Sequence, residues 1–130
     1  MATILVVDDD EKTRLDLENF LNSKNYSIIS AINGKQAINF LKKATKLPDL
    51  ILLDAVMAEL DGYSACKIIR KEISQSVPIV FLIMGDGKSF AAGLSAGGNG
   101  FLVKPFDYAK LEETLKKLIL PSNGIKKMKF

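Results

Sequence analysis

Short apolar runs that end on charged residues recur along this chain, and they restrict its fold more than any other feature. Ile4-Leu5-Val6-Val7 runs into Asp8-Asp9, Leu50-Ile51-Leu52-Leu53 into Asp54, and Phe101-Leu102-Val103 into Lys104-Pro105. Continuous apolar runs of this length, bounded by turn residues, read as strands buried on both faces of a parallel sheet. In open α/β sheets, ligands bind beyond the carboxyl ends of such strands. Three carboxylates and one ammonium are therefore expected to meet at one sheet edge. That is a site for a hard divalent cation with an anion, most simply Mg²⁺ and a phosphoryl group.

The segments between the runs carry helical periodicity. Residues 11–24 place Leu17, Phe20 and Leu21 on one face. A second strand is expected over 27–31, then a helix over 34–44, capped by Asn33 with Ala37, Ile38 and Leu41 inward. Pro48-Asp49 introduces the third strand, 50–53, and a loop over 55–61 follows. Gly62 opens a helix with Ala65, Cys66, Ile69 and Ile73 inside. Pro78 starts a fourth strand over 79–84, and the fifth is 101–103. Asp107 caps a last helix with the stripe Tyr108, Leu111, Leu115 and Leu118. The alternation predicts an α/β fold, (βα)5, with helices on both faces of a doubly wound five-stranded parallel sheet. Its weakest element is a helix over 89–96, because six of nine glycines lie between Gly85 and Gly100 and Gly93 sits inside it. An internal glycine costs about 1 kcal/mol relative to alanine. A short or mobile helix is expected there unless tertiary packing fixes it.

At 130 residues the chain is expected to form one domain over 1–120, with 121–130 a basic tail or the start of a linker. The net charge is +3, and Lys126, Lys127 and Lys129 crowd the tail. Those lysines are the sole hint of nucleic-acid contact, and a solvated end explains them. The single cysteine, Cys66, excludes an intramolecular disulfide and suits a reducing compartment. The run after Met1-Ala2-Thr3 is too short for a signal peptide, and no segment reaches membrane-span length, so a cytoplasmic protein without membrane contact is expected. There is no histidine. A Ser-His-Asp triad, a zincin helix and an internal histidine base are therefore excluded.

The chemistry expected at the acidic edge follows from these residue types. Asp54 stands alone at a strand end, as a nucleophile would, and a carboxylate attacking phosphorus yields an aspartyl phosphate. Such transfer depends on positioning and charge neutralisation. Mg²⁺ held by Asp8, Asp9 and Asp54 would supply most of the neutralisation, and Lys104 the rest. Like-charged carboxylates this close repel, so the empty site should want a cation. Taken singly, Asp8-Asp9-Asp10-Glu11 reads as an acidic helix start and Asp54 as a plain strand end. Matched positions after separate strands favour the shared site.

Val6-Val7-Asp8-Asp9-Asp10, Pro48-Asp49-Leu50-Ile51-Leu52-Leu53-Asp54, Leu60-Asp61-Gly62-Tyr63, Val77-Pro78-Ile79 and Phe101-Leu102-Val103-Lys104-Pro105-Phe106 together resemble the receiver domain of bacterial two-component response regulators. The likeness runs from Thr3 to about Leu120. It implies a flavodoxin-like, CheY-like fold with strand order 2-1-3-4-5. It also implies Asp54 as phosphoacceptor, Asp8 and Asp9 as the metal pair, the Val56 backbone carbonyl as a further Mg²⁺ ligand, and Lys104 on the phosphoryl group, aimed by cis-Pro105. The partner would be a histidine kinase or phosphotransfer protein carrying phosphohistidine, and the domain would be no enzyme beyond assisting its own phosphorylation and dephosphorylation. A homodimer through the last two helices and fifth strand, marked by Phe90, Phe101 and Tyr108, is a further implication.

Two switch positions depart from the family pattern. A Thr or Ser followed by a small residue usually ends the fourth strand, and here Ile83 and Met84 stand there. Phe101 fills the aromatic switch position, but Ile83 has no donor. A hydrogen bond to a charged group is worth about 1.5–3 kcal/mol, a large share of the roughly 5.5 kcal/mol that a full two-state shift needs. Ala58 also replaces a frequent proline. The alternative is a pseudo-receiver, a phosphorylation-independent module for protein–protein interaction. Gly85-Asp86-Gly87-Lys88-Ser89 contains a fragment of a P-loop, but Leu82 stands where that motif needs glycine.

Overall fold

Each apolar run forms a strand of one sheet in a computed structural model of the chain. It describes residues 1–85 and 89–128, with 89, 90 and 120–128 as backbone alone. The elements are β1 (Thr3–Val7), α1 (Glu11–Ser23), β2 (Ser27–Ala31), α2 (Gly34–Lys43), β3 (Leu50–Asp54), α3 (Gly62–Glu72), β4 (Ile79–Met84), α4 (Ser89–Ala96), β5 (Gly100–Lys104) and α5 (Tyr108–Met128). The strands lie in the order β2-β1-β3-β4-β5, and every neighbouring pair is parallel. The family order implied by the sequence is thus the order observed. The chain winds one way from β1 to β2 and returns past β1 to β3. Its reversal opens a crevice beyond the carboxyl ends of β1 and β3.

Alternation along the strands builds two cores. Leu5, Val7, Ile51, Leu53, Ile79, Phe81 and Ile83 face Ala37, Ile38 and Leu41 of α2, Ala65, Cys66 and Ile69 of α3, and Ala96 of α4. Ile4, Val6, Leu50, Leu52, Val80, Leu82 and Leu102 face Leu17 and Leu21 of α1 and Leu111 and Leu115 of α5. β3 is buried at every position, because it is central and covered on both sides. Caps set the helix starts. Asp10 accepts from the Thr13 N–H, Asn33 from Gln36 at 2.7 Å, Asp61 from Ser64 at 2.9 Å, and Asp107 from Ala109 and Lys110.

Several expected boundaries move. β3 and β5 each extend one residue further than their apolar runs, so Asp54 and Lys104 belong to the strands themselves. Ladder pairing with β4 carries them: Asp54 pairs Leu82, and Met84 pairs Lys104. α1 and α2 stop at Ser23 and Lys43, where Lys24 and Ala44 serve as C-caps. Ile73 likewise caps α3 from outside and is half-buried against the core. α5 continues to Met128, past the expected domain end at 120. Tyr108 is not on the buried stripe; it is exposed, with its ring 4.6 Å from that of Phe20. α4 keeps the expected bounds, and packing explains its glycine. A Cβ on Gly93 would lie 2.5 Å from Phe101 Cε1 and 3.0 Å from Phe81 Cδ2.

Candidate functional site

The site is assembled by strand parity. Val6 and Asp8, Leu52 and Asp54, and Leu102 and Lys104 are each two residues apart. Their apolar members all belong to the core under α1 and α5. The three charged residues therefore leave the sheet on the same side. Lys104 stands two positions beyond the row Asp54–Leu82–Leu102, and its long side chain spans that offset. Its Nζ lies 3.0 Å from Asp8 Oδ2 and 3.4 Å from Asp54 Oδ2. The Lys104–Pro105 peptide is cis.

Asp8 follows β1, fully buried, and its N–H donates to Ala31 O at 3.2 Å. Its Oδ1 accepts the Asp10 N–H at 2.9 Å. Its Oδ2 is buried and accepts no well-directed hydrogen bond, despite the nearby ammonium. Asp54 is 6% exposed, and the Val56 N–H donates to its Oδ1 at 3.3 Å. Asp9 is exposed; the Ala58 N–H reaches its Oδ2 at a long 3.5 Å. One oxygen from each of Asp8, Asp9 and Asp54 lies within 4.8 Å of the others.

Electrostatics at this cluster is strained. Burial foremost, and then the charge of Asp8, pushes the Asp54 carboxyl up to about 7, with Lys104 pulling the other way. Burial lowers the Lys104 ammonium, but its contacts with Asp8 and Asp54 outweigh that and leave it raised. An all-oxygen donor set and three carboxylates facing a single ammonium fit a hard divalent cation such as Mg²⁺.

The model of the response regulator receiver domain matches residues 4–116. The chain belongs to the response regulator receiver family. A probable transcriptional regulator, ycf27, of Guillardia theta is 35% identical over 121 residues, covering 92% of this chain and 46% of that protein. This receiver thus spans about half the length of the curated relatives it matches. Among solved structures, a response regulator from Chloroflexus aurantiacus J-10-fl superposes with a TM-score of 0.86 at 33% identity, covering 92% of this chain and 98% of that one. The receiver domain of a sensor histidine kinase from Pseudomonas aeruginosa PAO1 does so with 0.83 at 33%, covering 91% and 97%. It holds a magnesium ion in its active site cleft.

The remaining predicted positions of the receiver separate by exposure. Val56 is 73% exposed, and Met84 is 67% exposed beside Lys104 on the neighbouring strand. Ile83 is buried in the opposite core layer, one residue past the partner of Asp54. Phe101 is half-buried, its ring centroid 6.1 Å from that of Phe81. Cys66 is a core residue, its thiol donating to Ala96 O at 3.2 Å and pushed up in pKa by burial. Residues 86–88 of the P-loop fragment, the side chains of Ser89, Phe90, Lys126 and Lys127, and all of Lys129 lie outside the described residues. No helix among the described residues is long and apolar enough to cross a membrane.

Two contributors escape sequence reasoning. A Cβ on Gly62 would collide with the Asp54 carbonyl oxygen, so α3 can start against the end of β3 because residue 62 is glycine. Arg14 donates to the Asp8 carbonyl oxygen at 2.8 Å. The Asp61-Gly62 pair signals the first; nothing local signals the second.

Proposed function

We propose that this receiver is a phosphoacceptor that takes a phosphoryl group onto Asp54 and passes the change to its surface. The observation that carries the reading is the convergence of Asp8, Asp9 and Asp54 within 4.8 Å with the Lys104 ammonium among them. Asp8, Asp9, Asp54 and the Val56 carbonyl would hold Mg²⁺, which supplies charge neutralisation for the incoming phosphoryl group. A carboxylate oxygen of Asp54 bonds to phosphorus while the bond from phosphorus to the donor breaks, and the donor leaves with the electron pair. Lys104, held 3.4 Å from Asp54, is placed to meet the phosphoryl oxygens.

Membership of the receiver family supports a phosphohistidine on a histidine kinase or phosphotransfer protein as the donor, and the chain has no histidine of its own to serve instead. The domain turns over no separate substrate; it assists its own phosphorylation and dephosphorylation in the cytoplasm. A self-association face formed by α4, β5 and α5 is supported by exposed Leu94 and Val103, and by a groove of about 240 Å³ whose lining includes Val103, Pro105 and Lys110. Direct contact with nucleic acid is not part of this reading. One observation favours the pseudo-receiver instead: Ile83 is apolar and buried where a hydroxyl donor would be expected.

Intact mass after incubation with Mg²⁺ and a small acyl phosphate separates the two readings. A phosphoryl adduct on the native chain, absent from Asp54→Ala, is expected. No adduct from either the small donor or a cognate kinase would leave the interaction module as the function.

A further inference from the structure

The Asp8–Asp9 peptide carries the metal-site geometry, and its carbonyl is gripped from outside the acidic cluster. Arg14 lies one turn into α1, and its Nη1 donates to Asp8 O at 2.8 Å. The guanidinium is itself tethered: its Nε is 4.0 Å from Glu18 Oε2, and that oxygen accepts the hydroxyl of Ser30 on β2. The Arg14 and Glu18 side chains are 14% and 23% exposed, so the guanidinium lies mostly out of water while Ser30 stands at the exposed end of the contacts.

Asp8 has other anchors, through its N–H to Ala31 and its Oδ1 to Asp10. Asp9 has few. It is exposed, and among the described contacts its carboxylate is held by the long bond from Ala58. The orientation of the peptide between Asp8 and Asp9 fixes where the Asp9 side chain starts. Arg14 is the side chain that bonds the carbonyl of that peptide.

We infer that Arg14 is a positioning residue that aims Asp9 into the divalent-cation site by fixing the Asp8 carbonyl, with Ser30 and Glu18 holding its guanidinium in place. The inference rests on the phosphoacceptor reading, since it concerns the Mg²⁺ of that site. Loss of groups that orient metal ligands commonly weakens metal affinity by about 10–100-fold.

A simple charge effect has the opposite sign, which makes the inference testable. The Arg14 cation near the site repels Mg²⁺, so removing it should tighten binding unless positioning dominates. Mg²⁺ affinity is read from titrations followed by backbone amide NMR, with thermal unfolding in EDTA as the measure of the fold alone. Arg14→Gln is expected to raise the Mg²⁺ dissociation constant about tenfold, with the EDTA melting temperature nearly unchanged. Arg14→Lys keeps the charge but cannot span Asp8 and Glu18, and should lose about threefold; it decides the matter alone if Arg14→Gln does not fold. Native-like affinity in Arg14→Lys, or tighter binding in Arg14→Gln, overturns the inference while leaving the phosphoacceptor reading intact. A native chain that binds no Mg²⁺ overturns both.

Discussion

Asp54 carries the largest electrostatic burden of any described residue. Its carboxyl is pushed up to about 7 from the ordinary aspartate value of 3.8, because burial and then the charge of Asp8 disfavour ionisation. Between those values the folded state holds a proton that the unfolded chain has lost. Stability therefore falls as pH rises from about 4 to about 7, and levels off above. Urea unfolding in EDTA at about pH 5 and pH 8, for the native chain and for Asp54→Asn, isolates this group. The native chain is expected to lose about 2–3 kcal/mol more than the variant over that interval. Parallel profiles would remove Asp54 as the strained group. The strain has a sense under the proposed function: a bound divalent cation would favour the carboxylate, the form that the proposed phosphoryl transfer needs.

At the scale of elements, α4 shows why local rules mispredict. Glycine inside a helix normally costs about 1 kcal/mol, so Gly93→Ala should stabilise. Here the added methyl would press on Phe101 and Phe81, whose ring centroids are 6.1 Å apart. Overpacking of this kind costs about 1–3 kcal/mol. A lower urea midpoint for Gly93→Ala is expected, and a higher one would show that the rings yield freely. The same contrast explains what the chain discloses unaided. Strands and their order of appearance were legible, because a buried parallel strand needs an unbroken apolar run, and helix starts were legible from Asn33 and Asp107. Strand ends were not. Asp54 and Lys104 are polar residues held in strand geometry by pairing with β4, and pairing partners are not local information. The cluster of Asp8, Asp9, Asp54 and Lys104 was legible because each charge follows its own run. Arg14 was not, since its partner is a backbone carbonyl six residues away.

The whole molecule ties its stability to that cluster. Asp8 follows β1, Asp54 ends β3 and Lys104 ends β5, so the site draws on three of the five strands and spans the sheet's reversal point. Unfolding any of them disperses the ligand set, and a cation that binds the folded state alone stabilises all of it. At ten times its dissociation constant, Mg²⁺ should add about 1.4 kcal/mol. For a domain of this size that raises the melting temperature by about 5 °C. The control is a monovalent salt at matched ionic strength, because screening alone also changes the repulsion among Asp8, Asp9 and Asp54. The rise is expected to be specific to the divalent ion, and to be lost in Asp8→Asn, which removes the charge of the fully buried carboxylate in the cluster. An equal rise with monovalent salt would assign the effect to screening. A rise that persists in Asp8→Asn would place the cation away from the crevice between β1 and β3.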